Sequence, residues 1–167
     1  IVASGATDRV LPVSGWTLPG VYTLGGAQVA LKFQGCAIGS RVVLMGTGPL
    51  LYLVAYQYAK AGASVAAVLD TGVRPLRLQG DGRVASVVWS DGTREHTLDC
   101  DAVGLGYALR SETQLADLLG CRFAWAPLHH ARLPERDAAG RSSVPGVYLA
   151  GDGAGIMGAD AAEWAGE

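Results

Sequence analysis

Between Arg41 and Asp70 the hydrophobic positions fall into three consecutive blocks. Val42 to Met45 is an unbroken apolar run of strand type, and it feeds directly into Gly46-Thr47-Gly48-Pro49. An apolar helical segment follows to about Ala61, then Gly62, then a second apolar strand from Val65 to Leu69 that ends on Asp70. Strand, glycine turn, helix and strand in that order form the βαβ unit of a dinucleotide-binding domain. Gly46 permits the tight turn, Gly48 leaves room for a pyrophosphate, and Pro49 suits a first helical position, where no N–H is required. The open N–H groups and dipole of that helix end can hold an anion. Asp70 is placed to accept hydrogen bonds from a ribose diol. Two positions depart from the pattern: Leu51 stands where the third glycine belongs, and Leu53 occupies a position often acidic in such domains. The same glycines could serve packing alone. The helix is apolar nearly all round, so protein covers most of its sides.

The flanking patterns fill in the rest. Ile1 to Ala6 reads as a strand end running into a small-residue turn. Residues 11–20, with two prolines and two glycines, read as a linker with Trp16 as a packing anchor. Val21 to Gln34 is a short strand followed by a helix, with Gly25-Gly26 at its entrance. After Asp70 only Thr71, Gly72 and Val73 precede Arg74-Pro75-Leu76-Arg77-Leu78, another strand. A parallel strand needs a crossover of roughly a dozen residues. Either the connection is antiparallel or a helix-bearing segment is missing; the expectation is the second, with a break in the chain between Asp70 and Arg74. From Arg74 to Cys100 turns at Gly80-Asp81-Gly82 and Asp91-Gly92 give a β-meander. Its core positions are Val84, Val87 and Leu98. Trp89 covers one face, and Arg83, Arg94, Glu95 and His96 form a solvated face. Asp101 to Gly106 is a further strand. Ser111 and Gln114 form a capping box for a helix ending at Gly120. Cys121 to Trp125 and Val147 to Ala150 are short strands, and Ala154 to Ala162 looks helical.

Composition narrows the class. Half of the 167 residues are hydrophobic and 17% are charged, which argues against disorder and for a buried core. A net charge of −2 without a basic block gives no footprint for nucleic acid. No apolar run reaches the ~18 residues of a membrane span, and the first residues lack the basic start of a signal peptide. Cys36, Cys100 and Cys121 form neither a metal pattern nor a C-x-x-C pair, and read as reduced, buried thiols of a cytosolic protein. His129 and His130 are adjacent, with no carboxylate or cysteine partner nearby in sequence. No catalytic or metal-binding residue is assigned.

At Val147-Tyr148-Leu149-Ala150-Gly151-Asp152 the assembled parts resemble the flavin motif of two-dinucleotide-domain flavoproteins. There the aspartate hydrogen-bonds the ribityl chain of FAD. Ala3-Ser4-Gly5-Ala6 is similar to the family's Ala-Thr-Gly motif on the FAD side, and Val103-Gly104-Leu105-Gly106 to its counterpart on the NAD side. The runs GTGPLL, VGLGYALRSETQLADLLGC and SVPGVYLAGDGAGIMGADAAEWAGE resemble the α-type subunits of bacterial heteromeric opine, proline and related amino-acid oxidases. That group includes a subunit of hydrogen cyanide synthase.

The resemblance implies an α/β fold: a Rossmann-like NAD(P)-type domain with a β-meander, inserted at residues 21–110 between FAD-domain segments at 1–20 and 111–167. It implies FAD and NAD(P) as cofactors of the parent enzyme. Ser4, Gly5, Gly151 and Asp152 would lie toward FAD. Gly46, Thr47, Gly48, Pro49, Asp70, Gly104 and Gly106 would lie toward the nicotinamide nucleotide. An acid at Asp70 disfavours a 2′-phosphate, so NAD is preferred over NADP. The implied protein is a cytoplasmic or membrane-peripheral oxidoreductase subunit that works on an amino acid or opine-like amine beside a second subunit. Because the family's first G-x-G-x-x-G is absent, the chain reads as an internal piece whose own hold on FAD is lost. The alternative is a non-catalytic module that holds ATP or another adenine nucleotide, or serves as a scaffold. Leu51 and Leu53 favour it.

Overall fold

In the computed structural model, which describes residues 1–166, the chain forms two units, Asp8–Ala108 and Ile1–Thr7 with Leu109–Glu167. The first strand, β1 (Ala6–Asp8), pairs with a strand that follows residue 108. Residues 8–20, placed by sequence with the flanking segments, fold instead with the larger unit. Leu78 N donates to Ser14 O at 2.7 Å, and a Cβ at Gly15 would come within 2.1 Å of Leu78 O. Only glycine lets this stretch lie so close to the meander. Val13 is the buried residue here, whereas Trp16, expected as the packing anchor, is 43% exposed.

The larger unit continues with β2 (Val21–Thr23), α1 (Leu24–Gln34), β3 (Val42–Thr47), α2 (Pro49–Lys60) and β4 (Val65–Leu69). It is completed by β5 (Arg74–Gln79), β6 (Ser86–Ser90), β7 (Glu95–Asp99) and β8 (Ala102–Tyr107). Strands β2, β8, β3 and β4 lie side by side in that order, all parallel. Alternation along β3 divides the core. Val42 and Leu44 face the helices with Leu24, Ala27, Leu51, Val54 and Tyr58. Val43 and Met45 face the antiparallel sheet β5-β6-β7 with Leu78, Val84, Val87 and Val103. A strand covered on both faces needs the continuous apolar run seen in the sequence. Leu51 does not disturb this packing; it is fully buried within the helix-side cluster. Thr23 Oγ1 caps α1 by accepting from Gly26 N at 3.0 Å, and Gly35 closes it in the left-handed region at φ 66°. Cys36, just past that end, is exposed, against expectation, while Cys100 and Cys121 are buried.

The chain is continuous between Asp70 and Arg74, contrary to the expected break. Val73 N donates to Asp70 O at 3.3 Å, and Gly72 supplies the positive φ of 96°. The physical reason is topological. β5 is not a parallel neighbour in the same sheet but the first strand of the meander, so a short turn suffices.

The hairpin between β6 and β7 centres on Asp91. Its Oδ1 accepts from Thr93 N (2.8 Å), Thr93 Oγ1 (2.6 Å) and Arg94 N (3.0 Å), and its Oδ2 meets His96 Nε2 at 2.6 Å. His96 is not merely solvated, since its ring stacks on Trp89 with centroids 5.4 Å apart. The Thr93 hydroxyl above all, then His96 and the local backbone N–H groups, hold the Asp91 carboxyl well below the usual carboxylate range.

The smaller unit adds β9 (Leu109–Ser111), which pairs with β1, then α3 (Gln114–Leu118), β10 (Phe123–Ala126), β11 (Ala131–Pro134) and α4 (Ala159–Trp164). β10 and β11 form an antiparallel pair. The capping box is not formed: Ser111 is buried in β9, and Glu112 Oε1 accepts from Gln114 N at 3.0 Å instead. Val147–Ala150 makes only isolated bridges, including Val2 with Leu149, and helix α4 begins later than the pattern suggested. Ala116, Cys121 and Leu149 form the local core. No described helix is long and apolar enough to cross a membrane.

Two outcomes follow from this packing. Leu51→Ala leaves a hole in a closed core and should cost about 2–5 kcal/mol in denaturant unfolding. A depressed carboxyl contributes stability that is present above its unfolded pKa and lost as pH falls through its folded pKa. The gap in melting temperature between the protein and Asp91→Ala should therefore be widest near neutral pH and narrow below about pH 4.

Candidate functional site

In the larger unit the residues singled out by sequence gather at the C-terminal edge of the parallel sheet, where open α/β sheets bind ligands. In register, Gly46 lies beside Gly106 and Thr47 beside Tyr107, while β4 ends level with Met45 and delivers Asp70 to the same edge. The glycines there do different jobs. A Cβ on Gly46 would lie 1.9 Å from Gly106 O, so Gly46 is required by strand packing. Gly106 is required by the helix layer, where an added Cβ would meet Leu24 Cδ1 of α1 at 2.2 Å, and at Gly104 it would meet Leu44 Cδ2 of the neighbouring β3 at 2.8 Å. Gly48 alone faces open space, with no atom within 4 Å of an added Cβ and φ of 87°. It is the N-cap of α2, whose first turn starts at Pro49 and receives no side-chain cap. That helix end has N–H groups free for an anion.

Asp70 is engaged on one side only. Its Oδ2 accepts a hydrogen bond from the Tyr52 hydroxyl, while its Oδ1 is buried without a partner. The hydrogen bond to Asp70 raises the Tyr52 pKa, so the phenol stays protonated. A second orphan, the Tyr107 hydroxyl, is buried at the end of β8, and desolvation pushes its pKa up to about 12. Sequence reasoning found Asp70 but neither tyrosine. Their only sequence signals are position: Tyr52 four residues after Gly48, and Tyr107 directly after Gly104-Leu105-Gly106. Buried polar atoms are costly unless paired, so these orphans mark a place where a ligand donor or acceptor would be stabilising. An open glycine, an uncapped helix end and an orphaned carboxylate oxygen together fit a nucleotide.

In the smaller unit Ser4, Gly5, Gly151 and Asp152 are also brought together. Ser4 Oγ donates to Glu112 O at 2.5 Å, and Glu112 N donates to Gly5 O at 2.9 Å. Gly153, in the 3₁₀ turn Gly151–Ala154, sits against them: an added Cβ would lie 2.7 Å from Ser4 Oγ and 3.3 Å from Glu112 O. Asp152 stands in this turn with Oδ1 buried and without a partner. A cleft of about 190 Å³ in the same unit is lined by Arg110, Glu112, Gln114, Arg132 and Leu133, among others. The buried carboxylate oxygen fits a hydroxyl-bearing ligand. His129 ends a 3₁₀ turn and His130 takes φ of 47°; among the described residues no group of three or more His, Cys, Asp or Glu could hold a metal ion.

No protein-family model matches the chain. It is homologous to oxidase subunits. An opine oxidase subunit of Agrobacterium tumefaciens (strain Ach5) is 36% identical, with 99% of this chain and 41% of that protein covered. Hydrogen cyanide synthase subunit HcnB of Pseudomonas protegens is 29% identical, with 97% of this chain and 44% of that protein covered. The chain spans about two fifths of the length of the opine oxidase relatives it matches. The first alignment runs over 206 positions, more than the 167 residues present, so that relative holds positions inside the aligned span that this chain lacks.

Three solved structures share the fold. L-proline dehydrogenase from P. horikoshii has a TM-score of 0.78 at 21% identity, covering 92% of this chain and 29% of that one. Thioredoxin reductase from T. acidophilum has a TM-score of 0.66 at 19% identity, covering 95% and 58%. An FAD-dependent pyridine nucleotide-disulphide oxidoreductase from Desulfovibrio vulgaris has a TM-score of 0.60 at 23% identity, covering 89% and 44%.

The two turn glycines should separate in mutagenesis. Gly48→Ala costs only its backbone conformation, about 1–3 kcal/mol. Gly46→Ala drives a methyl into the neighbouring strand and should destabilise the protein more in the same thermal unfolding assay.

Proposed function

We propose that this chain is part of an oxidoreductase subunit that passes electrons between a flavin and a nicotinamide-type cofactor. The reaction it serves is oxidation of an amino acid or opine-like secondary amine, beside a second subunit. Homology to an opine oxidase subunit over nearly the whole chain supports the reaction class and the partner. One structural observation carries the cofactor reading. Each unit holds a carboxylate, Asp70 in one and Asp152 in the other, with a buried oxygen that no protein donor reaches. A ligand hydroxyl would supply the missing donor in each case.

In this reading Ile1–Thr7 with Leu109–Glu167 is the FAD side, and Asp152, with Gly151, Ser4 and Gly5, holds the ribityl region. Asp8–Ala108 is the nicotinamide side. Gly48, Pro49 and the α2 terminus hold phosphate, and Asp70 holds a ribose. Gly46, Gly104 and Gly106 keep the strands and α1 close enough to form that edge. The negative charge of Asp70 repels a 2′-phosphate, which favours NAD over NADP. The cofactors supply hydride and electron chemistry when bound, and the protein supplies orientation and charge. Unpaired Cys100 and Cys121 go with a reducing, cytoplasmic or membrane-peripheral setting.

A second reading, a non-catalytic adenine-nucleotide or scaffold module, is favoured by the burial of Leu51 where the motif's third glycine would stand. Calorimetric titration separates the two. The oxidoreductase reading expects heat on adding NADH, with a weaker response to NADPH and ATP; tight ATP binding with no NADH response defeats it. On the flavin side, the chain alone should purify without bound FAD, checked by its visible absorbance; a retained flavin band would show that these residues suffice to hold it.

A further inference from the structure

We infer that Tyr52 is a built-in competitor for the ribose at Asp70, a residue of this chain that occupies half of its own nucleotide site. The inference rests on the nucleotide reading of the Asp70 edge and adds a specificity and gating residue to it. A ribose diol is held most firmly when its two hydroxyls donate to the two oxygens of one carboxylate. In this structure those oxygens are not equivalent. Oδ2 already accepts from the Tyr52 hydroxyl, and Oδ1 is buried with no partner. Among the described residues no cation stands within salt-bridge distance of Asp70, so the phenol is its side-chain partner. An incoming diol gains Oδ2 only by displacing the phenol, and because Oδ1 is buried, a hydroxyl reaches it only once a side chain has moved aside.

The position of Tyr52 makes that displacement feasible. The residue lies on the first turn of α2, four positions after Gly48, and its side chain is not part of the buried core. It is 56% exposed, whereas its neighbours Leu51 and Val54 are fully buried. Swinging the ring into solvent therefore breaks one hydrogen bond and leaves the buried core cluster intact. Asp70 itself is anchored, since its carbonyl accepts from Val73 N in the turn that follows β4. The fixed carboxylate and movable phenol form a gate that admits a ligand bearing two adjacent hydroxyls better than one offering a single donor. A 2′-phosphate has neither the second donor nor a favourable charge there.

The test is calorimetric titration of the whole chain with NADH, for the protein, Tyr52→Phe, Asp70→Asn and the double variant. Circular dichroism on each verifies that the fold is retained. Tyr52→Phe removes only the competing hydroxyl and should bind NADH about tenfold more tightly, the equivalent of one hydrogen bond to a charged group. Asp70→Asn should abolish that gain in the double variant. If the protein binds NADH and Tyr52→Phe binds it equally or more weakly, Tyr52 is not a competitor, and the nucleotide reading stands without it. If neither the protein nor Tyr52→Phe binds NADH, the nucleotide reading fails and the inference falls with it.

Discussion

β3 and β8 run side by side through the middle of the parallel sheet, and at Gly46 and Gly106 neither strand carries a side chain. The space a Cβ would need on one is taken by the backbone of the other, and the space above Gly106 is taken by Leu24 of α1. This contact decides how closely the helix layer can settle. Leu24 sinks to full burial beside Leu44, and α1 meets α2 through the Tyr58 hydroxyl, which donates to Ala27 O at 2.8 Å. With both helices seated, the start of α2 is held at the sheet edge where β4 ends. The open space at Gly48 and the carboxylate of Asp70 are consequences of packing several residues away.

Desolvation weighs on polar groups that the fold cannot fully serve. Asp91 and Asp70 make an instructive pair. Asp91 gathers donors from its own hairpin on both oxygens and is held ionised. Asp70 receives one phenol and keeps one oxygen dry and unpaired. A folding sequence has no difficulty in providing donors, as the hairpin demonstrates. Leaving Asp70, Tyr107 and Asp152 without them is a local cost of the kind that functional sites retain.

Much of the architecture was legible in the residues. The apolar run, the glycine turn, Pro49 and the acid after the second strand are local signals, and they survived intact because each reports a backbone requirement. What was not legible depended on contacts distant in sequence. The role of Gly15 against Leu78 O, which ties residues 8–20 to the larger unit, has no local signature. Ser111 carries the composition of a helix cap but is taken by β9. The strand after Asp70 left an antiparallel connection and a missing segment both open, because periodicity does not reveal which sheet a strand joins. Tyr52 reads as one more aromatic on an apolar helix until the fold brings its hydroxyl to Asp70. Half of the Asp70 edge was thus visible beforehand, and the half that Tyr52 contributes was not.

The turn from Asp70 to Val73 has a consequence for how such proteins change length. It joins two sheets, Thr71 and Gly72 are exposed, and neither strand's register depends on how long the connection is. Loop closure grows only slowly with length, by about 0.6 kcal/mol for each doubling. A flexible insertion at this joint should therefore cost little in closure entropy while the edge at Asp70 keeps its strands. The turn is thus a practical splice point for an engineer who wishes to graft a flexible segment beside Asp70.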